Sequence, residues 1–407
     1  MNRSRRNFIK YGIYIGGTVA GTAAWVRGVR YPGLQFEPVD IQMVHRVNDA
    51  VWRADGAFPL EGGTSLSTWR AHSPEPKVVI MGSGEFEFQI NNIHRQATLQ
   101  PVGDGIIIDE NKNGLSRRVR GTLGSSPLAL EWRFPDTKNY RFAAIGDTGG
   151  DEELRWVLAR SEQLGAAFLL HLGDFNYQAG DYDRAQAAFD EAAIPTYITF
   201  GNHDYRAPGE NNLIDVFTRR LGPLNHAFTL GGIQFINLDT AANTLPFSAG
   251  NRGRLLNQLS ASTPGVRQRI AFHHRPLIDP RDEPEGGSAH DIGGLGEGRW
   301  LHKRLRKLGV DTALNGHIHM KLEFDNEGLF TYISGQGLAH ADIVNKSRRQ
   351  VAQILLGDVT PNEPTNFQWA ALEMPLIAHC NERLIKILEK SGRGDLTKTL
   401  AQACQRG

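Results

Sequence analysis

Residue types that bind metal ions recur at the ends of predicted strands in the middle of the chain. They are Asp147, Asp174, Asn202, a histidine of the His273-His274 pair, and His317 with His319. Asp174 follows Asp147 by 27 residues and Asn202 follows Asp174 by 28, a natural length for one β–α repeat. Because ligands collect at the carboxyl ends of strands in α/β sheets, these side chains are expected to converge. Carboxylates, an amide and imidazoles together predict a site for two divalent or trivalent metal ions.

The surrounding pattern predicts the elements that would position these residues. From residue 139, buried strands such as YRFAAIGD and AAFLLHLGD alternate with helical stretches such as DEELRWVLARSEQL, which indicates α/β architecture. The strands after His319 suggest a second sheet, and hence a four-layer α/β/β/α sandwich. Residues 138–375 are therefore predicted to form the catalytic domain.

The flanking regions have a different character. Residues 31–137 contain short apolar or alternating runs broken by Gly, Asn, Asp and Pro, which predicts a small antiparallel all-β domain of sandwich type. That region contains no cluster of candidate catalytic residues. Residues 376–407 are predicted to form a helical extension, which either packs back on the body or forms a mobile tail.

Five short blocks in the α/β region resemble the calcineurin-like metallophosphoesterases. The blocks are Gly146-Asp147-Thr148-Gly149, Gly173-Asp174, Gly201-Asn202-His203-Asp204, His274, and Gly316-His317-Ile318-His319. The resemblance covers residues 139–357, and the blocks are specific as a set. It implies the four-layer metallophosphoesterase sandwich and a metal-dependent phosphoric ester hydrolase.

The second block is similar to that of the purple acid phosphatases within this family. Their first two blocks are G-D-x-G and G-D-x-x-Y, and here Gly149 stands where other members have His, while Tyr177 follows Asp174 by three residues. In those enzymes the tyrosine binds the first metal as a phenolate. A free tyrosine ionises near pH 10, so a phenolate near neutral pH requires a strongly polarising cation, typically Fe(III). The alternative is that Tyr177 only packs on the loop.

The resemblance also implies how the ligands divide between the two metals. Asp147, Tyr177 and His319 would hold the first ion, which is expected to be Fe(III). Asn202, His274 and His317 would hold the second, expected to be Fe(II), Zn or Mn, and Asp174 would bridge both. Matching His-Arg-Pro to the family places the ligand at His274 rather than His273. Adjacent residues at a strand end point in opposite directions, so one metal is not expected to bind both.

Such a site would hydrolyse a phosphoester by attack of a metal-bound hydroxide. His203, beside Asn202, is the first candidate to protonate the leaving group, and Asp204 is expected to orient its ring. His290, in a Gly-rich loop, is a further candidate, with an ordinary surface histidine as the alternative. Arg275 would contact phosphate or form a structural salt bridge.

The N-terminus indicates export. Ser4-Arg5-Arg6-Asn7-Phe8-Ile9-Lys10 resembles the twin-arginine signal, and an uncharged stretch from Tyr11 to Val26 follows. Residues 1–30 are therefore predicted to be a signal peptide read by the twin-arginine translocase, or an uncleaved anchor that associates with the membrane. The expected location is the periplasm or the outer face of the cytoplasmic membrane. The two cysteines, Cys380 and Cys404, leave open one disulfide or two thiols.

The leading hypothesis is an exported dinuclear-metal phosphatase that acts on small phosphomonoesters. A phosphodiesterase or nucleotide hydrolase on the same fold is the alternative, since substrate choice would lie in loops such as 278–298. A non-catalytic envelope binding protein is a remote third. With 45 Lys and Arg against 44 Asp and Glu, the chain lacks the basic excess of a dedicated nucleic-acid binder, and no nucleic acid partner is predicted.

Overall fold

Strands dominate the computed structural model, which describes residues 42–47, 50–60, 67–204, 213–241, 251–281, 292, 295–338 and 352–373, and the single positions 386, 389 and 390. The predicted signal at residues 1–30 lies outside the described residues. So do both cysteines and all of the predicted 376–407 extension except the three single positions. None of the helices in the described part of the chain has the length and apolarity of a membrane span.

The first ten strands form two five-stranded sheets. They are β1 (Gln42–Val47), β2 (Ala50–Asp55), β3 (Ala57–Pro59), β4 (Ser67–Ala71), β5 (Lys77–Met81), β6 (Gly84–Asn91), β7 (Thr98–Val102), β8 (Ile106–Asn113), β9 (Ser116–Leu123) and β10 (Leu128–Arg133). One sheet has the order β1-β2-β5-β10-β7 and the other β3-β4-β6-β9-β8.

The two sheets share one apolar core, in which Trp52, Trp69 and Trp132 are buried. Side chains that alternate between core and solvent along β6 and β9 produce this core, because successive residues of a strand point to opposite faces. The sandwich predicted from the sequence is confirmed. Its pairing is antiparallel except between β4 and β6, which run parallel.

The rest of the described chain alternates strands with helices. The strands are β11 (Tyr140–Ile145), β12 (Phe168–His171), β13 (Thr196–Ile198), β14 (His226–Leu230), β15 (Ile233–Leu238), β16 (Gln268–His273), β17 (Thr312–Asn315), β18 (Lys321–Asn326), β19 (Leu329–Ser334), β20 (Gln353–Val359) and β21 (Asn366–Ala371). The helices are α1 (Glu152–Gln163), α2 (Asp181–Glu191), α3 (Ile214–Arg220), α4 (Asn251–Gln258) and α5 (Leu295–Lys307).

These strands form a five-stranded sheet, β13-β12-β11-β20-β21, and a six-stranded sheet, β14-β15-β16-β17-β19-β18. Phe142 and Phe168 of the first sheet pack against Phe235 of the second in a shared core. The outer face of the five-stranded sheet packs against α1, α2 and α3. The outer face of the six-stranded sheet packs against α4 and α5. The predicted α/β/β/α layering is confirmed.

The sequence predicted that the second sheet begins after His319, and this position is too late in the chain. The second sheet begins at β14, well before His274, and β20 and β21 return to the first sheet. The strands that precede His274 and His317 therefore belong to a different sheet from those that precede Asp147 and Asp174. Within each sheet, parallel pairing of β11 with β12 and of β16 with β17 aligns the carboxyl ends of the strands. The loops that follow these strands meet, because the N–H of His317 bonds to Asp147 across the two sheets.

The N-terminal sandwich contacts strand β13 and helix α2 of the α/β region through polar side chains. Asn92 donates from Nδ2 to the carbonyl of Thr196 at 3.0 Å and accepts the Thr196 N–H at 2.9 Å. Arg70, whose side chain is buried, pairs with Asp190 at 2.6 Å. These contacts join the two regions, and the boundary at residues 137 and 138 stays a prediction.

Candidate metal centre

Three of the predicted metal ligands adopt a backbone conformation that L-residues rarely use. Asp147, Asp174 and His317 have φ of 61°, 61° and 68°. A residue without glycine's freedom costs on the order of 1–3 kcal/mol in this region, and such residues cluster at functional sites. Each follows a strand of a buried sheet and turns its side chain back over the sheet edge. Seven non-glycine residues in the described part of the chain have positive φ, and three of them are predicted ligands.

The glycines of the motifs allow the loops to approach one another. A Cβ on Gly201 would lie 2.2 Å from both the backbone nitrogen and Oδ1 of Asp174. A Cβ on Gly173, where φ is +88°, would lie 2.8 Å from Cα of Gly201 and from Nδ1 of His274. No side chain fits at either position, so glycine is required for the second, third and fourth motif loops to touch.

One group of ligand atoms gathers around Tyr177. Its phenol oxygen lies 3.4 Å from Oδ1 of Asp147, 3.3 Å from Oδ2 of Asp174 and 3.1 Å from Nε2 of His319. Nε2 of His319 is also 3.3 Å from Oδ1 of Asp147. A Cβ on Gly149 would lie 3.8 Å from Cδ2 of Tyr177, so the tyrosine ring lies beside the place where a side chain of residue 149 would begin.

A second group gathers around His274. Its Nε2 lies 3.0 Å from Oδ1 of Asn202 and 3.3 Å from Oδ2 of Asp174. His317 joins this group, because its ligand atom and those of Asp174 and His274 all lie within 4.8 Å of one another. Oδ2 of Asp174 belongs to both groups, so one carboxylate oxygen stands between the two sets of ligand atoms.

The donor set fits metal ions in number, type and spacing. Ligands about 2.1 Å from an ion and at right angles to one another are about 3 Å apart, close to the separations seen here. Mixed carboxylate, amide, phenol and imidazole donors suit iron, zinc or manganese rather than calcium. The structure brings all seven predicted ligands to one edge of the sandwich.

The electrostatics favour positive charge at this position. Burial lowers the pKa of His274, but the carboxylates of Asp174 and Asp147 outweigh it and raise that pKa to about 9. Burial and the same two carboxylates raise the pKa of Tyr177 well above its usual range. The raised pKa of His274 favours the protonated form of its ring. Ionisation of Tyr177 would require a strongly polarising cation in direct contact.

Backbone groups hold the ligands from behind. Oδ2 of Asp147 accepts the N–H of His317 at 2.8 Å, and Oδ1 of Asp174 accepts the N–H of His203 at 2.8 Å. Nδ1 of His274 lies 2.7 Å from the carbonyl of Leu172, to which it donates. Each of these bonds uses the atom that faces away from the site and leaves the other atom directed into it.

His203 and Asp204 have separate positions. The exposed ring of His203 lies over Tyr177, with 4.3 Å between ring centroids. The buried carboxylate of Asp204 accepts three backbone N–H groups instead: those of Gly201 at 2.7 Å, and of Asp174 and Phe175 at 2.9 Å. No hydrogen bond joins Asp204 to the His203 ring among the described residues, and the carboxylate serves the backbone of two ligand loops instead. That Asp204 orients the His203 ring stays a prediction.

The structure also separates the two adjacent histidines. His274 lies among the ligand atoms, whereas Nδ1 of His273 lies 2.7 Å from Nδ2 of Asn315 and 2.8 Å from the carbonyl of Arg275. The N–H of Arg275 bonds to Oγ1 of Thr240 at 2.8 Å. His290, the remaining candidate, lies outside the described residues.

Two supporting residues were missed by the sequence analysis. Asp181, in the first turn of α2, accepts the N–H groups of Tyr177 and Gln178 at 2.9 Å each, and so holds the tyrosine loop. An acidic residue that begins a helix four residues after Tyr177 was the signal available. His171 contacts Thr148 beneath the first motif, and no motif or spacing indicated it.

The sequence profile of the family described as calcineurin-like phosphoesterase matches residues 140–321. This range contains all seven predicted ligands. The chain carries a calcineurin-like phosphoesterase domain. The domain comprises most of the two stacked sheets and every loop that contributes to the site.

Tartrate-resistant acid phosphatase type 5 from Oryctolagus cuniculus is 25% identical to this chain over 256 residues. The matched part covers 52% of this chain and 76% of that relative. With the phosphoesterase domain, this likeness supports a metal-dependent phosphoric ester hydrolase related at low identity to the purple acid phosphatases.

Two solved structures resemble this one more distantly. Purple acid phosphatase PPD1 from yellow lupin (Lupinus luteus) is 13% identical, covers 78% of this chain and 72% of its own, and has a TM-score of 0.45. A dimetal phosphatase from Danio rerio is 12% identical, covers 58% of this chain and 97% of its own, and has a TM-score of 0.39. At these scores the two structures add no argument about activity.

Proposed function

We propose that this protein is an exported phosphatase with two metal ions, which hydrolyses phosphomonoesters with water as the nucleophile. The observation that carries the proposal is the position of Asp174. Its Oδ2 lies 3.3 Å from the phenol oxygen of Tyr177 and 3.3 Å from Nε2 of His274. A carboxylate oxygen common to two sets of ligand atoms is able to bridge a pair of metal ions.

By this proposal the two sets of ligands have different preferences. Asp147, Tyr177 and His319 hold the first ion, for which Fe(III) is proposed. The phenol of Tyr177 is buried beside carboxylates that raise its pKa, so only a strongly polarising ion would hold it as phenolate. Asn202, His274 and His317 are proposed to hold Fe(II), Zn or Mn. Bound ions would neutralise phosphate oxygens and lower the pKa of a bound water.

The protein's own residues are proposed to perform the remaining steps. Asp174 and Asp147 are held at their rear oxygens by backbone N–H groups, which keeps the ligand set in place without reorganisation. His203 has an exposed ring beside Tyr177 and is proposed to donate a proton to the departing alkoxide. Its backbone N–H stays bonded to Asp174, so the ring can move without disturbing the ligand.

The experiment compares p-nitrophenyl phosphate with bis-p-nitrophenyl phosphate as substrates of the wild type, Asp174→Ala and Asp183→Ala. Asp183 is a matched carboxylate exposed on α2, and its removal should change nothing. Asp174→Ala should reduce the turnover of the monoester more than about a hundredfold and lower the metal content, since even supporting residues cost about 10–100-fold.

The outcomes separate the candidate functions. A higher kcat/KM for the diester than for the monoester would favour assignment as a phosphodiesterase or nucleotide hydrolase. Retention of two metals without turnover of either compound would favour a non-catalytic binding protein. Full monoesterase activity in a folded Asp174→Ala protein would refute the metal-centre assignment itself.

Export is the second part of the proposal and rests on residues 4–10. Delivery by the twin-arginine translocase as a folded protein would suit a metal site assembled before transport. Arg5→Lys with Arg6→Lys should retain the protein in the cytoplasm, whereas Arg3→Lys, an arginine outside the pair, should not. Cell fractionation with protease protection measures both, and separates a released protein from one anchored to the membrane.

A further inference from the structure

His171 is a polar residue in an apolar position beneath the site. It ends β12, three residues before Asp174, and its side chain is fully buried. Its ring lies against Phe175 and Phe189, with 6.0 and 5.5 Å between ring centroids. An aliphatic side chain would fill this part of the core without any polar group to satisfy. The imidazole therefore needs hydrogen bonds at both nitrogens.

Both nitrogens have partners, and the partners lie in different ligand loops. Nδ1 lies 3.3 Å from the backbone nitrogen of Gly173, and Nε2 lies 2.9 Å from Oγ1 of Thr148. Oγ1 of Thr148 in turn donates to the carbonyl of Gly149 at 2.7 Å. Gly173 precedes the ligand Asp174, and Thr148 follows the ligand Asp147.

One arrangement of protons satisfies this chain of bonds. The Gly173 N–H can only donate, so Nδ1 of His171 accepts and its ring is neutral. Nε2–H then donates to Thr148, whose hydroxyl donates to Gly149. Burial lowers the pKa of His171 to about 3, which keeps the ring neutral throughout the pH range of phosphatase assays.

The same two loops are also joined by their backbones. The N–H of Asp147 bonds to the carbonyl of Gly173 at 2.8 Å, and the N–H of Gly149 bonds to that of Asp174 at 3.1 Å. The backbone bonds set the distance between the loops. The His171–Thr148 contact acts on the turn that holds Asp147 at positive φ, next to the atoms that contact Tyr177 and His319.

We propose that His171 is a positioning residue that acts through Thr148 to hold Asp147 against Tyr177 and His319. The inference rests on the proposed function and deepens it, because it assigns His171 to the first metal position and not to the second. The second set of atoms receives His274 and His317 from the other sheet, and among the described residues His171 forms no hydrogen bond with either of them.

The test uses shape-matched variants. Thr148→Val keeps the branched shape and removes the hydroxyl, whereas Thr148→Ser keeps the hydroxyl. His171→Phe keeps a ring in the core, and His171→Gln keeps a donor that can reach Thr148. His226→Phe is the control, since His226 is also buried but lies 3.3 Å from Asn237 rather than beside a ligand loop.

Metal retained after dialysis against a graded series of chelator is measured for each purified protein by elemental analysis. The visible absorption band, kcat and KM are measured on the same samples. Thr148→Val and His171→Phe should each release the first ion at about 10–100-fold lower chelator concentration and shift or weaken the band. Both variants should retain the second ion as the wild type does. A double variant, Thr148→Val with His171→Phe, should lose no more of the first ion than the weaker-binding single variant. Thr148→Ser and His171→Gln should recover most of the wild-type retention.

The other outcomes overturn the inference in distinguishable ways. If the wild type retains two ions and the Val and Phe variants retain them equally well, the inference fails while the proposed function stands. If His226→Phe and His171→Phe lose both ions to the same extent, His171 is merely a core residue and the inference fails. A wild type that retains no metal refutes the proposed function and this inference together.

Discussion

The phenol oxygen of Tyr177 lies 3.1 Å from Nε2 of His319, although the two residues are 142 positions apart in the chain. Tyr177 reaches this position from a loop of the first sheet and His319 from a loop of the second. Their contact completes the first group of ligand atoms, to which Gly149 contributes no side chain. By the proposed ligand assignment, Tyr177 of the second motif takes the place of the histidine that the first motif lacks at Gly149.

Tyr177→Phe should remove the visible absorption band and weaken retention of the first metal, because the phenol oxygen is lost while the ring stays against His203. We expect about a 10–100-fold loss of affinity for that ion. Absorption spectra and metal content measure the effect. Tyr182→Phe is the control, because the buried hydroxyl of Tyr182 has no hydrogen-bond partner among the described residues. An unchanged band in Tyr177→Phe would show that the phenol is not a ligand.

His203→Ala should slow the hydrolysis of esters with poor leaving groups more than that of p-nitrophenyl phosphate. An alkoxide needs a proton as it departs and p-nitrophenolate does not, so the cost should reach about a hundredfold or more only for alkyl phosphates. The comparison of kcat for the two substrate types measures this. Equal losses for both would assign His203 to binding rather than to proton transfer.

Asp204→Asn should destabilise the protein and weaken metal binding at the same time. The amide offers one acceptor oxygen in place of two, so at least one of the N–H groups of Gly201, Asp174 and Phe175 loses its partner. The cost should be about 1–3 kcal/mol in the free energy of unfolding, measured with urea on metal-free protein. The shape of the pH–rate profile should stay as in the wild type. A changed pH–rate profile would indicate that Asp204 does orient the His203 ring.

The metal-free protein should become less stable as the pH rises from 6.5 to 9. The carboxylates of Asp174 and Asp147 raise the pKa of His274 to about 9, above the value near 6.5 expected in the unfolded chain. The protonated ring therefore contributes its full stability below pH 6.5, and this contribution disappears as the pH passes 9. The difference between wild type and His274→Asn should shrink by up to about 3 kcal/mol over this window, measured by urea unfolding with chelator present. A constant difference would contradict the raised pKa.

Gly201→Ala should disrupt the site through contact rather than through backbone strain. The added methyl would meet the backbone nitrogen and Oδ1 of Asp174 at 2.2 Å, so the bridging loop must move. Metal retention should fall along with activity. Gly265→Ala is the comparison, because its φ of +79° is strained but nothing lies within 4 Å of the new methyl. That variant should cost about 1 kcal/mol and keep its metal.

The amino-acid sequence was sufficient to predict which residue types reach the site and which chemistry they suit. One repeated pattern predicted three of the ligands: an apolar strand that ends in Gly followed by a polar residue. The three ligands are Asp147, Asp174 and Asn202. This pattern is local in sequence. The alternation of strands and helices around it also predicted the α/β/β/α layers of the fold. The change from histidine to Gly149, read with Tyr177, pointed to a phenol ligand before any distance was known.

How these residues meet and what holds them in place follows from the packing of the folded chain. The site is shared between two sheets, with β14 to β17 already in the second, because pairing between strands distant in sequence leaves little trace in a local pattern. Asp204 follows His203 in the chain, yet its carboxylate turns inward to three backbone N–H groups. His171 lies in an apolar strand and acquires a role only because Thr148 folds against it at 2.9 Å. Hydrogen bonds of this kind form only where two loops lie within bonding distance. That distance is set by the packing of the strands and helices rather than by residue type.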